Sequence, residues 1–351
     1  MNQFNSRFFK PAKYQKSINE NLSQCLTCER RCKIYKNEIG SCKTRTNKDG
    51  VIESFTYGLI PALSYNPIEK KPFFHFYPGS VAITIGTYGC NFKCFWCQNH
   101  NLSHPDNDIR DMVNALENFY APEKIVDLTL KNNCQGTSIS FNEPTLSFEY
   151  SLEVFKLAKK KGLYNTFVSN GYMTEEVLSD LAQNGLDAMN IDIKGNYDMV
   201  RNYCDADIDL VWRNAKLAKD LGVHIELTTL LIENYNTDES VIKEISEKIS
   251  SKLGKSTPFH LTRAFPQYQS HAHEFNNPTS VLSLKSAYKI AKSTGLDFVY
   301  LGNLPSSEYE DTYCPKCGKL VIKRSNYEIK KIGLSYDGNC KNCAYQIINY
   351  I

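Results

Sequence analysis

No stretch of this 351-residue chain approaches the roughly 18 consecutive apolar residues that a membrane-spanning helix requires, so no membrane partner is expected. The first residues, MNQFNSRFFKPAKYQKS, contain no apolar core segment, which argues against a secretory signal and for a cytoplasmic protein. A dominant charge is missing too. Lys and Arg number 41 against 38 Asp and Glu, and the resulting +3 offers no electrostatic footprint for nucleic acid. Neither an internal repeat nor a low-complexity tract is present. What remains is the composition of a globular protein, 42% hydrophobic and 23% charged, long enough for two or three structural units.

Cysteine is the residue in excess. There are 13, and most fall into three close-spaced groups. Such groups in a reducing compartment are metal ligands or redox centres, because thiols there do not persist as disulfides. The first group is Cys25, Cys28, Cys32 and Cys42, the second Cys90, Cys94 and Cys97, and the third Cys314, Cys317, Cys340 and Cys343. Cys134 and Cys204 stand alone and read as ordinary cysteines.

Between residues 80 and 303, short β-branched runs alternate with longer amphipathic stretches. The runs at 81–86, 137–141, 164–169, 188–193, 224–232, 258–263 and 297–301 are continuous in apolar character, as in strands buried on both faces of a parallel sheet. Helices are expected at 145–161, 175–183, 210–221, 238–252 and 282–293, the first stopped by Gly162. The alternation predicts an α/β fold with a parallel barrel or part of one. A doubly wound open sheet is the alternative architecture, but no GxGxxG turn follows the first strand. The expected division is an N-terminal Cys-rich segment over 1–79, the barrel over 80–304 and a C-terminal four-Cys module over 305–351.

Directly after the first strand, Cys90, Cys94 and Cys97 form C-x3-C-x2-C. Three thiolates on one loop hold three corners of a [4Fe–4S] cube and leave the fourth iron free. An electron carrier of the ferredoxin kind uses four cysteines. A structural zinc site here needs a fourth ligand such as His100 or His104.

This loop resembles the signature of the radical S-adenosylmethionine (SAM) superfamily, and further segments in the same order are similar to its other elements. Ser140-Phe141-Asn142-Glu143-Pro144-Thr145 resembles the motif that holds the SAM α-amino group, through Asn142 and Glu143. Ser169-Asn170-Gly171-Tyr172 is similar to the segment that meets the ribose hydroxyls. Asp192-Ile193-Lys194-Gly195 looks like the Asp-x-Lys of glycyl-radical activating enzymes, near the SAM carboxylate. His260 resembles a His near the nucleoside in the same enzymes, and Trp96 is expected beside the adenine.

The resemblance implies a partial (β/α)6-type radical SAM barrel with a [4Fe–4S] cluster and SAM as cofactors. It also implies an electron donor such as flavodoxin or ferredoxin, and a 5′-deoxyadenosyl radical that takes hydrogen from a substrate. The segments Pro67-Ile68-Glu69-Lys70-Lys71-Pro72, His75-Phe76-Tyr77-Pro78-Gly79 and Tyr300-Leu301-Gly302-Asn303 are similar to one subgroup, the AmmeMemoRadiSam system radical SAM enzymes, relatives of pyruvate formate-lyase activating enzymes. Its name implies Memo-like and AMMECR-like partner proteins. A nucleic-acid-modifying radical enzyme and a non-catalytic multi-zinc protein are the competing functions.

The C-terminal pairs, 22 residues apart, predict a zinc-ribbon-like site with four thiolates, with a single rubredoxin-like iron as the alternative. The N-terminal four, spaced x2, x3 and x9, fit zinc or a second iron–sulfur cluster, with structural zinc slightly favoured. His271 and His273 read as parts of a solvated loop.

Overall fold

A computed structural model describes residues 6–115, 119–304 and 308–351. The chain begins with short antiparallel strands: β1 (Lys10–Pro11), β2 (Gln15–Asn19), β3 (Leu22–Cys25), β4 (Lys33–Tyr35), β5 (Arg45–Lys48) and β6 (Val51–Ser54). They make two three-stranded sheets, in the orders β1-β6-β5 and β2-β3-β4.

An eight-stranded sheet follows. Its strands are β7 (Ala62–Pro67), β8 (Val81–Gly86), β9 (Gly136–Ile139), β10 (Tyr164–Ser169), β11 (Ala188–Asp192), β12 (His224–Leu231), β13 (Phe259–Arg263) and β14 (Val299–Gly302). They lie in sequence order, with β7 antiparallel to β8 and every later pair parallel. The order never reverses, so there is no switch point of the doubly wound kind. Among the described residues β7 and β14 each have one neighbour, so the barrel is partial and open. Because β7 belongs to this sheet, the segment expected at 1–79 is continuous with the barrel. The boundary expected at 304/305 abuts residues 305–307, which lie outside the described residues.

The helices are α1 (His100–Ser103), α2 (Ile109–Ala115), α3 (Pro122–Lys131), α4 (Phe148–Lys160), α5 (Glu175–Gln183), α6 (Tyr197–Cys204), α7 (Ile208–Asp220), α8 (Glu239–Leu253) and α9 (Val281–Ser293). Local chemistry fixes their ends. Asn196 and Ser280 each accept from the backbone N–H group three residues on, and Gly162, at φ +73°, lets the chain leave α4. Buried faces such as Val211, Trp212 and Ala215 of α7 pack with the sheet residues Phe167, Met189 and Leu227 in one continuous core. None of the described helices is long and apolar enough to cross a membrane.

β15 (Thr312–Tyr313), β16 (Leu320–Ser325) and β17 (Glu328–Lys330) form the C-terminal sheet. Arg324 ties it to the barrel: its guanidinium donates to Phe74 O at 2.8 Å and Thr312 Oγ1 at 2.7 Å, and lies 4.2 Å over the Phe74 ring. Beneath it, the buried Glu226 carboxylate accepts from Phe74 N, His75 N, His224 Nε2 and His260 Nε2 at 2.7–3.0 Å.

Candidate active site

The loop leaving β8 carries Cys90, Cys94 and Cys97, and its shape is held from several sides. Asn142 Oδ1 accepts from Thr87 N and Asn142 Nδ2 donates to Gly89 O, both at 2.9 Å. Gly89, at φ +85°, lies so close to the N-terminal strands that a Cβ there would be 2.5 Å from Cys42 O. Phe92, Phe95 and Trp96 are buried anchors, and Phe95 stacks on His273 at 4.1 Å between centroids. Phe92 and Trp96 line one cavity together with the three thiols.

That cavity, about 240 Å³, lies at the C-terminal ends of the parallel strands and is lined by Cys90, Cys94, Cys97, Trp96, Asn142, Glu143, Asn170, Asp192 and Lys194. Thr228 of β12 and Thr262 of β13 line the same space, which requires the sheet to curve around it. Burial first, and then the Glu143 carboxylate, push the Cys90 thiol well above its ordinary range. The Cys204 thiol and burial do the same to Cys94. Thiols so placed ionise against a metal cation. The three sulfurs of this loop do not gather within 4.8 Å of one another as those of a single-ion site do. The donor set fits three irons of a cluster rather than a single zinc.

Acid and base flank the thiols. Glu143 Oε1 accepts from Thr145 N, Thr145 Oγ1 and Ser169 Oγ at 2.5–3.0 Å, and Oε2 accepts from Asn170 N at 2.8 Å. Burial pushes its pKa up against those donors. Lys194 Nζ pairs with Asp192 at 2.9 Å. Burial works against the ammonium, but Asp192 and then Cys94 outweigh it and hold the Lys194 pKa high. Asn170 Nδ2 donates to Asn91 Oδ1 at 2.7 Å, beside Cys90.

Two expected site residues stand apart from the cavity lining. Ser169 bonds Glu143 and is not among the lining residues. His260 lies early in β13, bonded to Glu226 at 2.7 Å, and faces a separate small pocket with Phe74 and Arg324. Cys204 is a residue that sequence reasoning passed over: its Sγ is 3.5 Å from Cys94 Sγ, brought there by α6 from 110 positions away. No local pattern marks it. His271 is exposed and bonds Asn276, whereas the His273 ring is packed on Phe95.

At the C-terminus, Cys314, Cys317, Cys340 and Cys343 have sulfurs all within 4.8 Å of one another, the spacing of one tetrahedral ion. Cys25, Cys28 and Cys42 are buried and Cys32 half-buried in the N-terminal strands.

A partial α/β barrel with thiols, a buried acid and an acid–lysine pair converging at its strand ends defines a metal-dependent enzyme of cluster type. Residues 84–245 match the model of the Radical SAM superfamily. An uncharacterized protein of Methanocaldococcus jannaschii is 37% identical over 342 residues, 96% of this chain and 98% of that one. A protein of the same archaeon provisionally named a glycyl-radical enzyme activating enzyme is 29% identical over 49% of this chain and 64% of its own. A domain of a pyruvate-formate lyase-activating enzyme from Bacteroides vulgatus has a TM-score of 0.41 at 20% identity, covering 48% of this chain and 99% of that one. The chain belongs to the radical SAM superfamily, whose [4Fe–4S] cluster and SAM are its implied cofactors.

Proposed function

We propose that Cys90, Cys94 and Cys97 hold a [4Fe–4S] cluster whose remaining iron takes SAM, in an activating-enzyme-like protein that abstracts hydrogen from a protein substrate. The observation that carries this reading is the convergence of the three thiols, Glu143, Asn170, Asp192 and Lys194 on one cavity. When bound, the cluster and SAM together supply one-electron cleavage of a sulfonium C–S bond, giving methionine and a 5′-deoxyadenosyl radical.

The residues of the chain bind and orient. Glu143 Oε2 carries one protein donor and keeps an acceptor position for the SAM ammonium. Lys194, held by Asp192, has the sign to meet the carboxylate. Asn142 fixes the cluster loop, Ser169 fixes Glu143, and Asn170 lines the cavity where it would meet the ribose hydroxyls. Trp96 closes the wall behind the cysteines and excludes water. His260 acts through Glu226 as a support of the sheet.

The names of the activating-enzyme relatives support a protein substrate and a one-electron donor of the flavodoxin or ferredoxin class. The segments around Lys71, His75 and Gly302 support placement in the AmmeMemoRadiSam subgroup, with Memo-like and AMMECR-like proteins as partners. Zinc is the proposed occupant of the C-terminal quartet. Anaerobic reconstitution with iron and sulfide tests the core of the proposal. Reduced protein forms 5′-deoxyadenosine from SAM, and Cys94→Ala forms none. A fully reconstituted wild type that forms none overturns it.

A further inference from the structure

The SAM site leaves Cys25, Cys28, Cys32 and Cys42 without a role. Four thiolates around one zinc lie about 3.8 Å apart, given Zn–S bonds of ~2.3 Å in a tetrahedron. The C-terminal quartet has that spacing, and among the described residues no other group of three or more does. The N-terminal sulfurs are therefore spread, as those of the SAM-cluster loop are.

They are nonetheless one group. The Cys28 thiol lies within electrostatic reach of Cys25 and Cys42, and Cys25 N donates to Cys32 O at 2.9 Å. Two buried donors beside this group have no partner at hydrogen-bond geometry: Arg45 Nε and Asn91 Nδ2. Arg45 carries its charge near Cys25 and Cys42, and the Asn91 amide lies beside Cys28. Buried N–H groups without acceptors call for an explanation, and the sulfurs of an anionic cluster are such acceptors.

The same residues join the group to the SAM site. Asn91 Oδ1 accepts from Asn170 Nδ2 beside Cys90. Arg30, between Cys28 and Cys32, donates through Nε to Asn91 O at 2.7 Å. We propose that Cys25, Cys28, Cys32 and Cys42 hold a second [4Fe–4S] cluster, seated behind the SAM-cluster loop with Asn91 between the two centres.

The test is metal and acid-labile sulfide analysis of full-length Cys90→Ala/Cys94→Ala/Cys97→Ala, reconstituted anaerobically and read by Mössbauer spectroscopy. About four irons and four sulfides per chain are expected, with about one zinc. Absence of labile sulfide together with about two zincs overturns the proposal. If the triple variant does not fold, Cys25→Ala/Cys28→Ala in the otherwise intact chain gives the same decision: iron per chain falls by half, and unchanged iron is the contrary result. Iron in the triple variant reports on this site alone, while 5′-deoxyadenosine from the wild type reports on the SAM site.

Discussion

Glu143 carries more hydrogen bonds than any other acid in the cavity, and each donor to it is a group that shapes the site. Glu143→Gln turns an –NH2 toward one of those donors and removes the charge that meets the ammonium. A buried polar group left unsatisfied costs about 1–3 kcal/mol, so SAM affinity falls roughly tenfold or more while iron content is retained. Equilibrium dialysis with labelled SAM measures it, and an unaltered Kd removes Glu143 from the ammonium site. Glu143, Asn170 and Lys194 were legible in the sequence because each follows a buried apolar strand, and parallel strands of one sheet bring their C-terminal ends together. Cys204 was not legible. Its contact with Cys94 depends on how α6 folds back after Lys194, and that is a matter of tertiary packing.

Among the elements, the long ones were the readable ones. The expected helix at 175–183 matches α5, and those at 210–221 and 282–293 differ from α7 and α9 by one or two positions. The N-terminal strands carry no such signal. β2 is QKSIN with four of its five residues exposed, so no buried face imposes a period of two. β7, which begins in half-buried positions at the sheet edge, was missed for the same reason.

Contacts between elements also set two outcomes. Gly89→Ala places a methyl group against Cys42 O at a left-handed φ, forcing the cluster loop away from the N-terminal strands. Iron incorporation falls sharply, by colorimetric assay, and full loading contradicts the packing described. The Glu226 pillar makes stability acid-sensitive. Burial raises the Glu226 pKa, but bonds from His224 and His260 outweigh it and hold it well below 4.5, so its contribution is present above that pH and lost below it. His75, pushed down to about 3 chiefly by burial, is neutral when folded and charged when unfolded below its ordinary 6.5. It too loses stability as pH falls from 6.5 toward 3. The Tm therefore drops on acidification from pH 7 to 4, and Glu226→Gln lowers Tm at pH 7 and flattens the slope below 4.5. Calorimetry showing a flat wild-type profile contradicts this.

The whole molecule joins a partial barrel to two flanking cysteine groups of different geometry. Repetition of C-x2-C made the C-terminal quartet readable, and its sulfurs do gather within 4.8 Å. The N-terminal spacing slightly favours zinc over a second cluster, and it is the unpartnered Arg45 Nε and Asn91 Nδ2 of the folded chain that support the cluster. Cys340→Ser removes about one zinc per chain and lowers Tm, because Cys340 lies in the apolar cluster through which the C-terminal sheet meets Phe74 and Tyr300. Metal analysis that finds the same zinc content in this variant contradicts the assignment.

The central claim is that the loop of Cys90, Cys94 and Cys97 leaves an iron for SAM. Electron paramagnetic resonance of the reduced protein, recorded before and after addition of SAM, addresses it most directly. In Cys25→Ala/Cys28→Ala, where only the SAM-site cluster contributes, the account predicts a signal whose g-values shift on binding SAM. A cluster signal left unchanged by saturating SAM would contradict it.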